Sequence, residues 1–153
     1  MRHQGTARHV VTPRTLVFCE RDGRRLFIEG GPAKWFAGRL NGLGGSVEPG
    51  EDVGASAARE VEEECGLAPR DLRLRAVVHG DIDPAADPQV MLFVFSATLP
   101  PGEVRASSEG RLVWLAPAEV ADPATPLLPD VRPLLATIAS QAAGDGPVFL
   151  TPR

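Results

Sequence analysis

Three glutamates, Glu60, Glu63 and Glu64, fall at positions i, i+3 and i+4 of the segment Arg59-Glu60-Val61-Glu62-Glu63-Glu64. On a helix that spacing puts them on a shared face. Like charges so placed weaken a helix, and the pattern calls for a cation to offset them. Carboxylates are hard oxygen ligands, and Mg²⁺ or Mn²⁺ takes a few of them while leaving positions for water and a substrate phosphate. The commoner meaning of an acidic segment of this kind is a solvated helix face, here with Arg59 screening Glu63 one turn on. The surroundings decide between the two.

The elements around the glutamates are legible. Residues 52–64 hold good helix formers behind Asp52, a suitable N-cap, and Gly66 stands where such a helix would end in the left-handed conformation. Ala57, Ala58 and Val61 give this helix a thin apolar stripe. Upstream, 15–20 and 26–29 are apolar, β-prone runs joined by Asp22-Gly23, which predicts a tight hairpin. Between hairpin and helix, residues 30–50 contain seven glycines and read as a long loop that lets backbone approach something closely. Downstream, 72–78, 90–99 and 111–115 read as strands, with a polar loop over 81–88. One helical turn is predicted at 117–120, a terminal helix opening on proline at 129–142, and an edge strand at 147–150. Strands interspersed with two helices predict an α/β layered sandwich around a mixed sheet.

Composition narrows the partners. A chain of 153 residues with 43% hydrophobic and 24% charged residues is an ordinary folded domain, not a disordered or fibrous one. A net charge of -4 argues against a protein held to nucleic acid by a basic face, so a nucleotide partner is expected to be small. Cys19 and Cys65 lie far apart without a CxxC spacing, which predicts neither disulfide nor structural zinc and fits a reducing cytoplasm. Cys19, in an apolar strand, reads as a small buried hydrophobe. No apolar run approaches the roughly 18 residues of a membrane span, and the first residues lack the apolar core of a secretory signal, so a cytoplasmic protein is expected. His3, His9 and His79 have no paired spacing and are assigned no role.

Read from Gly45, the sequence runs Gly45, five residues, Glu51, seven residues, then Arg59-Glu60-Val61-Glu62-Glu63-Glu64-Cys65-Gly66-Leu67. This resembles the Nudix box, G-x5-E-x7-R-E-U-x-E-E-x-G-U with U aliphatic, at all nine specified positions. At average residue usage such a match arises by accident with a probability on the order of 10⁻⁸. The elements on either side of 45–67 are also similar in order to the Nudix fold. The resemblance therefore implies a single Nudix hydrolase domain over 1–153, an α/β/α sandwich with a mixed β-sheet between helices, residues 1–8 forming a mobile terminus.

That family hydrolyses nucleoside diphosphates linked to another group. The resemblance implies that Glu60, Glu63 and Glu64 ligate Mg²⁺ or Mn²⁺, that the Gly45 carbonyl adds a ligand, and that Glu63 or Glu64 lies nearest the activated water. Arg59 and Glu51 would orient the cluster. Glu109, by its spacing to Trp114, matches an acid that relatives place near the metals from outside the box; its alternative is a solvated loop residue. Trp114 itself reads as core.

Within the family, Gly38-Arg39-Leu40-Asn41-Gly42-Leu43-Gly44-Gly45 looks closest to the MutT-like branch that cleans oxidised purine nucleoside triphosphates, with Leu40 and Leu43 in place of two aromatics. Asn41 stands where that branch reads a purine edge with an amide, the alternative being a loop residue satisfying its own backbone. Trp35 either stacks on the base or anchors the loop in the core. The stretch Leu127-Leu128-Pro129-Asp130-Val131 keeps one of the branch's two base-reading aspartates, Asp130, and has leucine for its tryptophan. These residues imply cleavage of a nucleoside triphosphate, an oxidised purine among the candidates, with modest selectivity for oxidation. The alternatives are another nucleotide, such as a sugar nucleotide or dinucleoside polyphosphate, or a Nudix module that binds without hydrolysis. The expected partner is a small-molecule nucleotide, with no stable nucleic acid and no membrane, and the chain a monomer or homodimer.

Overall fold

The computed structural model describes residues 9–80 and 89–151. The expectations of a mobile terminus at 1–8 and a polar loop at 81–88 lie outside the described residues.

Strand β1 (Val11–Arg21) turns through Asp22 and Gly23, both at positive φ, into β2 (Arg24–Gly30), the predicted hairpin. The two strands stay paired only at the turn, Cys19↔Leu26 to Arg21↔Arg24, and then splay apart. Into the fork goes the glycine-rich segment. It is a correction to the loop reading that β3 (Leu40–Asn41) pairs β2 and β4 (Leu43–Ser46) pairs β1 within it. Helix α1 (Val53–Cys65) follows, then β5 (Arg70–Gly80), β6 (Gln89–Thr98), β7 (Gly110–Leu115), α2 (Pro117–Ala121), α3 (Val131–Ser140) and β8 (Val148–Leu150). Helix α3 starts two residues after the proline expected to open it and stops short of 142.

The sheet runs β3-β2-β1-β6-β5-β8, with β4 on β1 and β7 on β2. It is mixed: β1·β6 and β5·β8 are parallel and the rest antiparallel. Alternation along β1 sends Leu16 and Phe18 to a core shared with Val131, Leu134 and Leu135 of α3, and Val17 and Cys19 to a second core shared with Ala57, Val61 and Cys65 of α1. Helices thus cover opposite faces, the α/β/α arrangement expected.

Helix α1 is set by its ends: Asp52 accepts a hydrogen bond from the Ala55 N–H at 2.9 Å, and Gly66 closes the helix at φ 82°. A cap of the first kind contributes about 1 kcal/mol. Its apolar stripe is narrower than expected, because Ala58 is only half-buried while Ser56 and Glu64 are buried beside Ala57 and Val61. Both cysteines are free and buried, and burial pushes both thiols up, which leaves them protonated. Trp114 is half-buried against the α1 core with the Arg21 guanidinium 4.9 Å from its ring, as a core residue and not part of the site. Among the described residues no helix is long and apolar enough to cross a membrane.

Candidate active site

Burial of Glu64 sets the chemistry of the site. Its side chain points from α1 under the fork strand β4, leaving the residue 5% exposed, and it accepts a hydrogen bond from the Gly44 N–H at 3.3 Å. Burial pushes its carboxyl up to about 8; the Gly44 N–H opposes the shift, and repulsion from Glu60 and Glu109 adds to it. Glu60, one turn earlier, is also raised by burial, against the pull of Arg59.

Two glycines let β4 come this close. A Cβ on Gly44 would lie 2.0 Å from the Thr15 carbonyl oxygen of β1, at a φ of 153°. A Cβ on Gly45 would lie 2.4 Å from the carboxyl carbon of Glu60. Gly45 is thus required by the carboxylate packed on it. Its carbonyl oxygen accepts from the Thr15 hydroxyl at 3.5 Å.

Arg59 gathers the acids. Its guanidinium donates to Glu51 at 2.7 and 3.0 Å, to Glu60 at 3.1 Å, to both oxygens of Glu63 at 3.2 Å and to the Ser46 carbonyl at 3.2 Å. The hydrogen bond from Arg59 holds the Glu51 carboxyl down at about 2. The expected screening of Glu63 by Arg59 is present, but Arg59 is chiefly the clamp between the loop at Glu51 and the helix. Glu63, 59% exposed at its side chain, reaches outward. Glu109 comes from before β7 and is ion-paired with Lys34, the chain's sole lysine.

These residues suit a hard divalent cation by type: oxygen donors, two of them raised by burial, with a carbonyl beside them. As they stand, Arg59 and Lys34 occupy carboxylates that such an ion would engage, and among the described residues no three acidic, histidine or cysteine side chains converge on one point.

A cavity of about 500 Å³ opens from Glu64, Gly45 and Glu109 toward α3. Asn41 lies on it: Oδ1 accepts from the Gly42 N–H at 2.9 Å, as the loop reading expects, while the NH₂ group and the second lone pair of Oδ1 have no bond among the described residues. Trp35 also lines the cavity, 52% exposed and edge-on to Phe36 at 5.4 Å, so the reading of Trp35 as an anchor in the core is corrected. Asp130 lies on the same cavity at the start of α3. It arrives there because Leu40 of β3 pairs with the segment before α3, donating to the Pro126 carbonyl at 2.8 Å and accepting from the Leu128 N–H at 3.0 Å.

Sequence reasoning assigned no role to three cationic residues of this cavity, Arg14, Lys34 and Arg39. Lys34 carried a signal in being the only lysine. Arg14 carried one in strand alternation, since it precedes Leu16 and Phe18 on the inward face of β1.

A family model described as the NUDIX domain matches residues 6–138. An oxidized purine nucleoside triphosphate hydrolase from Mus musculus is 38% identical over 79 residues, 51% of this chain and 49% of that protein. A putative 8-oxo-dGTP diphosphatase 2 from Mycobacterium tuberculosis is 38% identical over 86 residues, 56% of this chain and 60% of that protein. The chain thus spans about half to three fifths of these curated relatives. The crystal structure of a MutT NUDIX hydrolase from Burkholderia pseudomallei superposes with a TM-score of 0.70 at 30% identity, covering 84% of this chain and 98% of that one.

Proposed function

The chain belongs to the Nudix family, and on that premise we propose that it is a divalent-cation-dependent pyrophosphohydrolase that cleaves purine nucleoside triphosphates, oxidised guanine nucleotides among them, to monophosphate and pyrophosphate. One observation carries the reading. A single cavity is lined by the carboxylates of Glu64 and Glu109 together with apolar side chains, an aromatic ring and an amide, a volume of about 500 Å³ being ample for a nucleoside.

Glu60, Glu63, Glu64 and the Gly45 carbonyl would hold Mg²⁺ or Mn²⁺, with Glu109 joining once released from Lys34. Such an ion supplies charge neutralisation at the bridging phosphates and eases deprotonation of the attacking water. The protein's own share is positional. Arg59 holds Glu60 and Glu63 from the helix side while Glu51 locks Arg59 to the loop, which keeps the carboxylates oriented before substrate arrives. Glu63, exposed, and Glu64, buried, are the two groups suited to accept the water's proton. Lys34, on the cavity lining, brings a cation to the incoming triphosphate. Trp35 offers a stacking face and Asn41 its NH₂ donors to the base.

The names of the mouse and mycobacterial relatives support a purine nucleoside triphosphate as substrate. The test is pyrophosphate release from a panel of nucleoside triphosphates with Mg²⁺ and with excess chelator. The expected outcome is Mg²⁺-dependent release favouring purines. Undiminished turnover in chelator, or equal rates on pyrimidines, refutes the reading.

A further inference from the structure

Among the described residues three charged side chains of the cavity have no side-chain partner: Arg14, Asp130 and the exposed Arg39. Arg14 lies half-buried on β1 two residues before Leu16, so alternation turns it to the α3 face, where it lines the cavity with Leu16, Leu92 and Leu134. Among the described residues its side chain makes no hydrogen bond or ion pair, whereas Lys34 on the same cavity is tied to Glu109; what separates Arg14 from Arg39 is its half-buried place on the inward face of β1. Asp130 occupies the N-cap position of α3 but makes no capping bond with its side chain, the usual use of an aspartate there. It too has no partner among the described residues, Arg14 included. A donor-only fork and an acceptor-only carboxylate are thus held apart on the walls of one apolar cavity.

We propose that Arg14 reads the base as guanine with an unoxidised N7 edge by donating to O6 and N7, opposite Asp130, whose base-reading role the family resemblance already implies and which would accept from N1–H and the 2-amino group. This rests on the nucleoside triphosphate reading of the site and goes beyond it. The chemistry excludes the other purines by mismatch. Guanine offers two adjacent acceptors to a guanidinium, and adenine places its 6-amino donor beside N7. Adenine also presents the acceptor N1, not a donor, to a carboxylate. Oxidation of guanine at C8 turns N7 from acceptor to N–H donor, which faces the guanidinium with a donor and removes half of the bidentate pair. Arg14 therefore works against discrimination in favour of the oxidised base.

The experiment has two arms on the full chain. In the first, kcat/KM is measured with Mg²⁺ for dGTP, dATP and 8-oxo-dGTP in the parent, Arg14→Lys and Arg14→Met. In the second, metal-free binding of dGMP, dAMP and 8-oxo-dGMP is read by quenching of Trp35 fluorescence. The parent is expected to favour the guanine nucleotide over adenine by about tenfold or more, the scale of a bidentate pair, and to favour dGTP at least equally with its oxidised form. Both variants are expected to lower the parent's guanine-over-adenine preference at least about fivefold in both arms, the remainder being held by Asp130. Arg14→Lys keeps the charge and loses the fork, so a lysine variant that retains the guanine preference would show a charge role only and overturn the assignment. A parent that prefers 8-oxo-dGTP by more than about tenfold would overturn it as well. Failure of the hydrolysis arm for every nucleotide would count against the nucleoside triphosphate reading, and the binding arm then decides on Arg14 alone.

Discussion

The carboxyl of Glu64 makes a prediction about stability that does not depend on assaying the reaction. Its folded value is about 8 against 4.5 when unperturbed, a rise caused first by burial. The folded chain then holds this proton more tightly than the unfolded chain. The contribution is fully present below pH 4.5 and is lost as the pH rises toward 8, beyond which the folded state carries an ionised carboxylate that the unfolded state would solvate. The difference between 4.5 and about 8, at 1.36 kcal/mol per pH unit, corresponds to about 5 kcal/mol. Glu64→Gln keeps the shape and can still accept from the Gly44 N–H, but has no charge to bury. In chelator, parent and variant should match near pH 4 and separate as the pH rises, the variant ending about 5 kcal/mol more stable at pH 9. For a chain of this length that is roughly 10–20 °C in melting temperature. Adding Mg²⁺ at pH 9 should close most of the gap by stabilising only the parent, since a cation offsets the buried charge. The assay is denaturant or thermal unfolding from pH 4 to 9, with chelator and with Mg²⁺. Stabilities within about 1 kcal/mol at pH 9 in chelator would refute the claim that an ionised Glu64 is costly in this fold.

Other expectations follow from the same site. Glu63→Gln should lower kcat at least about a hundredfold, the scale of losing a key electrostatic group, and a variant within threefold of the parent would disqualify Glu63. Gly45→Ala should displace only the flexible end of Glu60, so activity should fall by about tenfold or more while the unfolding midpoint barely moves; unfolding instead of inactivation would point to the backbone as the constraint. Pyrophosphate release should vanish in excess chelator and rise between about pH 6 and 9, as water becomes easier to deprotonate, and a flat profile would contradict that step. Glu51 is held down at about 2 by Arg59, so its contribution is present above pH 4.5 and lost as the pH falls toward 2. Glu51→Gln should therefore be less stable than the parent at pH 7 and equal to it near pH 2, as followed by chemical denaturation at each pH.

Local physics and tertiary packing divide this protein cleanly. Whatever depends on neighbours in the chain was readable beforehand: Asp52 capping α1, Gly66 ending it, Asp22-Gly23 turning the hairpin, and the spacing that aligns Glu60, Glu63 and Glu64. The Nudix box likewise lies within one continuous stretch, 45–67. What escaped the sequence was set by partners distant along the chain. Glycines read as loop formers became two short strands, because the splayed β1 and β2 offered unpaired edges to segment 40–46 that only small residues could approach. The three glutamates share a helix, yet packing under β4 made Glu64 a buried acid near pH 8 and left Glu63 in solvent. Glu109 and Lys34 meet across 75 residues, and Asp130 reaches the cavity only because Leu40 pairs with the segment before α3. Helical and turn preferences are short-ranged, so a sequence displays them directly. Burial and charge pairing are properties of the assembled sheet, and only its topology decides which carboxylates lose water and which charges are left to a ligand.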